Sequence, residues 1–107
     1  MQKVLIIEDE AMIAKMIADQ FIKSGFQSMI EYDGISGYQT FGTYCPDLVV
    51  LDLMLPYMDG YSVCRKIRTK SNVPVIMLTA RTNIDDQLMG YEAKVDDYMI
   101  KPFHPEV

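Results

Sequence analysis

Acidic side chains, a hydroxyl and an ammonium group follow apolar segments of the chain, at the points where strands are predicted to end. Glu8 and Asp9 follow the first such segment, Asp52 a second, Thr79 a third and Lys101 a fourth. The carboxyl ends of neighbouring parallel strands meet at one edge of a sheet, and open α/β folds bind ligands there. We therefore expect these five side chains to lie together at one rim.

The three carboxylates predict a site for a hard divalent cation, because carboxylates held close together repel one another. Oxygen ligands without imidazole or thiolate suit Mg²⁺, which keeps several waters and binds one or two carboxylates together with a phosphoryl oxygen. Lys101 and Thr79 would neutralise and orient such a phosphoryl group. The set indicates Mg²⁺-assisted phosphoryl transfer, with one carboxylate facing the phosphorus.

Each of these residues also has an ordinary structural explanation when it is taken alone. Acids such as Glu8 and Asp9 are favoured at the start of a helix. Thr79 could cap the loop before a helix, and Lys101 could pack its stem on the sheet and expose its charge. Asp52 is harder to explain, because an acid directly after four apolar strand residues is usually functional or paired. The coincidence of all five at strand ends favours a site.

The elements that position these residues alternate between short strands and amphipathic helices. The predicted strands are Val4–Ile7, Phe26–Tyr32, Leu48–Leu51, Pro74–Leu78 and Asp97–Ile100. Helical spacing predicts four inner faces, made by Ile13, Ile17 and Phe21, by Ile35, Tyr38, Phe41 and Cys45, by Val63, Cys64 and Ile67, and by Ile84, Leu88 and Tyr91. Gly25 is expected to end the first helix and Asp59 to cap the third, whereas Gly37 and Gly42 weaken the second.

This alternation predicts an α/β fold built from βαβ units. We expect a doubly wound, five-stranded parallel sheet of the flavodoxin-like order 2-1-3-4-5. The second strand is the most polar, which places it near an edge. The first, third, fourth and fifth strands are the more apolar ones, and we expect them to be adjacent.

Composition excludes several function classes. The 107 residues support one core and therefore one domain. A net charge of −5 disfavours binding of nucleic acid by this domain itself. No apolar run approaches the roughly 20 residues of a membrane helix, and no signal peptide is evident. The single histidine, His104, excludes a multi-histidine metal site. Cys45 and Cys64 are expected to be buried free thiols of a cytosolic protein, and a disulfide between them stays open without positive support.

Taken together, the motifs resemble the receiver domain of bacterial two-component response regulators, of the OmpR/PhoB type. No single motif is specific, but together they cover the chain in order and at the spacing of that family. The matching segments are Ile6–Glu10, Pro46–Pro56, Met58–Gly60, Pro74–Arg81, Asp96–Tyr98 and Lys101–Phe103.

The resemblance implies a chemical role for each residue at the rim. Asp52 would be the phosphoacceptor that attacks a phosphohistidine of a sensor histidine kinase. Glu8, Asp9, Asp52 and the backbone carbonyl of Met54 would surround Mg²⁺, and Lys101 would pair with the phosphoryl oxygens. The domain would be a signalling domain and not an enzyme, beyond catalysing its own phosphorylation and dephosphorylation.

The resemblance also implies a switch. Thr79 would hydrogen-bond to the phosphoryl group and move toward it, and Tyr98 would swing inward behind it. The fourth helix, fifth strand and fifth helix would form the face that switches and forms a homodimer. The output, transcription, would act on DNA through a winged-helix domain absent from these residues.

Several positions depart from the family pattern. Tyr57 stands where glycine or a small polar residue is usual, and a ring there could shield Asp52 or contact a kinase. Lys94 stands in place of a glycine, and Gln87 replaces a lysine of the dimer face, which puts the usual dimer in doubt. Residues 1–107 would form a receiver domain truncated before or within helix five, with no output domain in this chain.

Other readings stay open. A stand-alone or atypical receiver would relay phosphate or bind a protein partner. A phosphatase-like hydrolase with an aspartyl nucleophile usually carries a second aspartate two residues after the nucleophile, where this chain has Met54. A flavin-binding protein would share the fold, but no Ser/Thr-Gly-rich phosphate loop follows the first strand.

Overall fold

A computed structural model of the chain describes residues 2–79 and 94–100. Within those two ranges the chain forms five strands and three helices. They are β1 (Lys3–Ile7), α1 (Ala11–Lys23), β2 (Gln27–Glu31), α2 (Gly34–Tyr44), β3 (Leu48–Asp52), α3 (Gly60–Arg68), β4 (Val75–Thr79) and β5 (Asp97–Ile100). The predicted helix with Ile84, Leu88 and Tyr91 lies outside the described residues.

The five strands form one parallel sheet in the order β2-β1-β3-β4-β5, so the predicted α/β order is confirmed. The polar strand β2 lies at an edge, as predicted. Ile7 of β1 pairs with Leu51 of β3, and Asp52 pairs with Leu78 of β4. This register brings the acidic ends of β1 and β3 to the same level of the sheet.

The apolar character of β1 follows from its burial on both faces. Leu5 and Ile7 belong to a core cluster with Val63 and Ile67 of α3. Val4 and Ile6 belong to a second cluster on the other face, with residues of α1. A strand covered on both sides has no solvent face on which polar residues would alternate.

Two helices agree with the end or cap and the inner face predicted for them. Helix α1 buries Ile17 and is followed by Gly25 at a φ of 93°, a left-handed conformation that glycine tolerates. Helix α3 begins after Asp59, whose carboxylate accepts a hydrogen bond from the Ser62 amide at 3.0 Å. Its predicted inner face of Val63, Cys64 and Ile67 is fully buried.

The prediction for α2 is partly wrong. Phe41 is buried and Tyr38 half-buried, but Ile35 is exposed, and Cys45 is an exposed residue that follows the helix with a φ of 54°. Tertiary packing explains the difference, because a Cβ on Gly37 would lie 2.5 Å from Cδ1 of Ile7. Gly37 therefore seats the helix on β1, and this contact sets which face is buried. The expectation of two buried thiols holds for Cys64 and is wrong for Cys45.

Candidate functional site

Three carboxylates meet at the carboxyl ends of β1 and β3. Glu8, Asp9 and Asp52 each offer an oxygen, and these oxygens lie within 4.8 Å of one another. Glu8 is completely buried and Asp52 is 2 % exposed, whereas Asp9 is exposed to solvent. The adjacency of β1 and β3 in the sheet is what brings residues 43 positions apart into one cluster, which we call the acidic cluster.

Backbone amides orient the two buried carboxylates. The Glu10 amide donates to Oε2 of Glu8 at 3.0 Å. The Met54 amide donates to Oδ1 of Asp52 at 3.2 Å. Hydrogen bonds from amides offset part of the free-energy cost of removing an ionised carboxylate from water. The chain that follows each strand therefore holds the acid at its end.

The loop between β3 and α3 leaves the end of β3 and returns to it. The Gly60 amide donates to the Leu53 carbonyl at 2.9 Å, and the Leu53 amide donates to the Leu78 carbonyl at 2.9 Å. A Cβ on Gly60 would collide with the Asp52 carbonyl and would lie 2.9 Å from the sulfur of Met77. Only glycine lets α3 begin this close to the acidic cluster.

The other predicted residues differ in how far the structure describes them. Thr79 is buried at the end of β4, one residue beyond the position paired with Asp52. Met54 places its amide on Asp52 and leaves its side chain 75 % exposed. Lys101 follows the last residue of β5 but lies outside the described residues, as does Gln87.

Tyr98 is half-buried on β5 and contacts a residue that the sequence analysis did not single out. Its hydroxyl lies 3.1 Å from the hydroxyl of Tyr61, which is 1 % exposed in the first turn of α3. Both rings pack with the core cluster that contains Met77. Helical spacing carried a signal for Tyr61, because it lies three residues before Cys64 of the inner face.

Two of the departures from the family pattern share a backbone conformation. Tyr57 has a φ of 71° and Lys94 a φ of 61°. Both values lie in the left-handed region, which favours glycine because a Cβ is crowded there. This explains why glycine suits both positions. Tyr57 is also 85 % exposed, so its ring does not pack over the acidic cluster.

The acidic cluster has the ligands that suit a hard cation. Its ligands are carboxylate oxygens, which suit Mg²⁺ better than a softer metal.

In residues 2–79 and 94–100, no helix has the length and apolar character needed to cross a membrane.

Comparison with protein families agrees with this geometry. Residues 4–107 match the model of the response regulator receiver domain. The chain is 48 % identical over 103 residues to the transcriptional regulatory protein YclJ of Bacillus subtilis (strain 168), covering 96 % of this chain and 45 % of YclJ. It is 42 % identical over 105 residues to the DNA-binding response regulator MtrA of Mycobacterium tuberculosis (strain H37Rv), covering 98 % of this chain and 46 % of MtrA. The chain thus spans about half the length of these curated relatives.

A solved structure shares the fold. The receiver domain of the sensor histidine kinase PA1611 from Pseudomonas aeruginosa PAO1 superposes with a TM-score of 0.85 at 32 % identity, covering 96 % of this chain and 87 % of that one. That structure has a magnesium ion coordinated in its active site cleft.

Proposed function

Because the chain belongs to the response regulator receiver domain family, we propose that it takes a phosphoryl group on Asp52 from a sensor histidine kinase. The observation that carries the proposal is the Asp52 carboxylate, buried at the end of β3 beside Glu8 and Asp9. The Met54 amide holds one of its oxygens at 3.2 Å. A buried, oriented carboxylate among other acids has the position that a nucleophile for phosphorus requires.

The transfer forms one bond and breaks one. An Asp52 carboxylate oxygen attacks phosphorus, and the phosphorus–nitrogen bond of the kinase phosphohistidine breaks. The electron pair of that bond stays on the imidazole nitrogen, and the product is an aspartyl phosphate. Thr79 would hydrogen-bond to the new phosphoryl oxygens, and Lys101 would neutralise their charge.

The acidic cluster is proposed to hold Mg²⁺ through Glu8, Asp9 and Asp52, with the Met54 backbone carbonyl as a further ligand. The donor set fits, because three carboxylate oxygens lie within 4.8 Å of one another and Mg²⁺ prefers oxygen ligands. When bound, the ion would offset the charge of the carboxylates and of the phosphoryl group. The magnesium ion in the related PA1611 receiver supports this assignment.

The consequence of phosphorylation is proposed to be a conformational switch with an output on transcription. Contacts from the phosphoryl group to Thr79 and Lys101 would stabilise one arrangement of the face that includes Tyr98 and the residues before β5. That face would then form the homodimer. YclJ and MtrA are named as a transcriptional regulatory protein and a DNA-binding response regulator, which supports a DNA-binding domain elsewhere in a longer cytoplasmic protein.

A second candidate follows from the PA1611 similarity. PA1611 is a sensor histidine kinase with a receiver domain of its own. A receiver of that kind would support a phosphorelay role for this chain, in which Asp52 passes the phosphoryl group onward. Transfer from phosphorylated Asp52 to a histidine phosphotransfer protein would distinguish this role from control of transcription.

Intact mass spectrometry tests the phosphoacceptor. The protein is incubated with Mg²⁺ and phosphoramidate, a small phosphoryl donor. We expect one acid-labile phosphoryl adduct, which disappears in Asp52→Asn and in the presence of a chelator. Asp19→Asn serves as the matched control, because Asp19 is an exposed acid of α1 outside the acidic cluster. An adduct that persists in a folded Asp52→Asn variant contradicts the proposal.

A further inference from the structure

The first residue of α2 lies against the chain that enters α3. A Cβ on Gly34 would collide with the Met58 carbonyl oxygen, and it would lie 2.9 Å from Cγ2 of Val63 and 3.0 Å from Cβ of Met58. The carbonyl oxygen belongs to the backbone, so it cannot rotate away as the end of a flexible side chain can. The close approach of α2 to the loop between β3 and α3 therefore requires glycine at position 34.

The start of α2 is held in place on both sides of Gly34. Before it, the Asp33 carboxylate caps the helix and accepts hydrogen bonds from the Ser36 amide at 2.7 Å and the Ser36 hydroxyl at 3.0 Å. After it, Gly37 seats the helix on Ile7. A shift of α2 away from the loop would disturb its packing on β1. The start of α2 is thus fixed, and the loop packs against it.

The loop that packs on Gly34 also carries the amide that orients Asp52. The Met54 amide donates to Oδ1 of Asp52 at 3.2 Å, and N–H···O hydrogen bonds in proteins reach an upper limit of about 3.2 Å. A small outward shift of the loop would therefore lengthen this bond beyond hydrogen-bonding distance. The Met58 amide donates to the Pro56 carbonyl, and this bond lies within the loop and does not tie it to another element.

We propose that Gly34 is a positioning residue of the acidic cluster. Because it has no side chain, the first turn of α2 supports the loop at Met58, and this support keeps the Met54 backbone against Asp52. The assignment rests on the proposed function, in which the Met54 amide orients Asp52 and the Met54 carbonyl is a ligand of Mg²⁺. Gly34 acts through the loop and not by contact with the ion or the phosphoryl group. Misplacing a reacting group by about 1 Å can cost about a hundredfold in rate.

Three variants of the native full-length protein test the role of Gly34. Gly34→Ala places one methyl group at the contact with Met58. Gly42→Ala is the matched control, because it makes the same change in the same helix, where a Cβ would meet nothing within 4 Å. Ala18→Gly weakens α1 on the other face of the sheet, so it controls for a general loss of stability. Thermal unfolding establishes that each variant is folded at the assay temperature.

Three measurements on these proteins separate positioning from stability. The NMR resonance of the Met54 amide, assigned through Met54→Leu, reports the hydrogen bond to Asp52. Calorimetric titration gives the Kd for Mg²⁺, and intact mass spectrometry gives the rate of labelling by phosphoramidate at saturating Mg²⁺. We expect Gly34→Ala to shift the Met54 resonance, to raise the Kd by about threefold or more and to lower the labelling rate by about tenfold. Gly42→Ala and Ala18→Gly should keep the resonance in place and both values within about twofold of the unmodified protein.

A second pair of variants tests the support without adding a methyl group. Asp33→Ala removes the cap that fixes the first turn of α2, whereas Asp33→Asn removes the same charge and keeps a residue that caps a helix well. We expect Asp33→Ala to shift the Met54 resonance and to lower the labelling rate by about threefold relative to Asp33→Asn. This pair decides the role of the support if Gly34→Ala does not fold.

The outcomes keep the role of Gly34 and the proposed function apart. If Gly34→Ala folds and its Kd for Mg²⁺ and labelling rate match those of Gly42→Ala, the inference is overturned and the function stands. Equal losses in Gly34→Ala and Ala18→Gly would also overturn it, because they would come from lower stability. If Gly34→Ala does not fold, equal labelling of the two Asp33 variants overturns it. If phosphoramidate fails to label even the unmodified protein, the phosphoacceptor fails, and the Met54 resonance and the Kd for Mg²⁺ in Gly34→Ala decide the inference.

Discussion

Glu8 and Asp52 are acids in a position where burial would ordinarily disfavour their charged forms. Burying an ionised carboxylate is costly unless hydrogen bonds or a cation compensate its charge. The amides of Glu10 and Met54 each supply one hydrogen bond to these carboxylates, at 3.0 Å and 3.2 Å. These hydrogen bonds offset part of the cost of burying the two carboxylates. The Mg²⁺ proposed for the acidic cluster would offset more of this cost, and Asp9 is the one carboxylate of the three that is exposed to solvent.

The hydroxyl pair of Tyr61 and Tyr98 couples α3 to β5. The two oxygens lie 3.1 Å apart, between a buried ring and a half-buried ring. We predict that Tyr61→Phe and Tyr98→Phe each lower the free energy of unfolding. The double variant should cost less than the sum, with a coupling of about 0.5–1.5 kcal/mol. Urea unfolding of the four proteins measures this cycle.

The coupling matters because Tyr98 is the residue proposed to report phosphorylation. If Tyr61 holds Tyr98 in its packed position, Tyr61→Phe should also shift the NMR resonances of the Tyr98 ring before any phosphoryl donor is added. Additive free energies together with unchanged Tyr98 resonances would show that the two hydroxyls do not interact.

Tyr44 carries a buried hydroxyl that has no hydrogen-bond partner in the part of the chain that the structure describes. A hydroxyl that is buried without a hydrogen-bond partner loses its hydrogen bonds to water and gains none from the protein. We predict that Tyr44→Phe raises the free energy of unfolding by about 1 kcal/mol at pH 7. Burial, and secondarily the charge of Asp47, raise the pKa of Tyr44 above its ordinary value of 10.0.

The raised pKa of Tyr44 gives the prediction a pH dependence with a definite sign. The unfolded chain would ionise this tyrosine near pH 10, before the folded chain does. The stability that the neutral form provides is therefore complete below pH 10 and is lost as pH rises through the folded-state pKa. The advantage of Tyr44→Phe over the unmodified protein should grow above pH 10. Urea unfolding at pH 9 and pH 10.5 measures the difference in free energy of unfolding between the two proteins. A difference that stays constant or shrinks from pH 9 to pH 10.5 would contradict the prediction.

At the scale of elements, two glycines of α2 have opposite roles. A Cβ on Gly37 would lie 2.5–2.9 Å from three carbons of Ile7, whereas a Cβ on Gly42 would meet nothing within 4 Å. We predict that Gly37→Ala lowers the free energy of unfolding by about 1–3 kcal/mol, because it pushes α2 off β1. Gly42→Ala should raise it by about 0.5–1 kcal/mol, since alanine favours a helix interior.

Gly37→Ala and Gly42→Ala are matched controls for each other, because they make the same chemical change in the same helix. Chemical denaturation should move the two midpoints in opposite directions. Equal shifts of one sign would mean that helix propensity dominates and that the contact of α2 with Ile7 is not limiting.

A second element-scale feature joins the end of α3 to the start of β5. The Arg68 guanidinium donates to the carbonyls of Val73 and Lys94, at 2.6 Å and 2.9 Å, and to the Asp96 carboxylate at 2.7 Å. The Arg68 side chain is 9 % exposed, whereas the Asp96 side chain is 52 % exposed, so water reaches the ion pair from the Asp96 side. The Asp96 carboxylate also accepts from the Val75 amide at 2.7 Å, which ties the network to β4.

We predict that Arg68→Ala lowers the free energy of unfolding by about 2 kcal/mol, because it leaves several polar groups without their donor. Arg65→Ala is the control, since Arg65 is an exposed arginine of the same helix, and it should change the value by less than about 0.5 kcal/mol. Hydrogen exchange of the β5 amides should accelerate in Arg68→Ala alone. Similar effects of the two variants would show that only helix charge is involved.

For the whole molecule, the sequence predicted the sheet and the residues that its strand ends bring together, and it missed individual side-chain contacts between elements. Strand order and the meeting of Glu8, Asp9 and Asp52 follow from apolar strands that end in acids, a signal carried by a few adjacent residues. The cap at Asp59 is equally local. The Tyr61–Tyr98 pair joins residues 37 positions apart, and no periodicity in the sequence predicts such a contact. The exposed face of α2 was likewise decided by packing against β1.

The acidic cluster links the stability of the whole domain to divalent cations. A ligand that binds only the folded state adds about 1.4 kcal/mol to the free energy of unfolding when its concentration is ten times its Kd. We predict that Mg²⁺ stabilises the unmodified protein in this way and that Asp9→Asn, which removes the exposed carboxylate, loses most of the gain. In a chelator the order should reverse, because Asp9→Asn relieves the repulsion with Glu8 and Asp52.

Urea unfolding in Mg²⁺ and in chelator measures this reversal in the order of stability. Asp19→Asn is the control for the loss of one exposed acid of α1. Asp19→Asn should follow the unmodified protein in both solutions, because Asp19 is outside the acidic cluster. A general effect of ionic strength would move all three proteins together, and a Na⁺ solution of matched ionic strength identifies it. If Asp9→Asn were the less stable protein in chelator as well, Asp9 would be a structural residue and not a cation ligand.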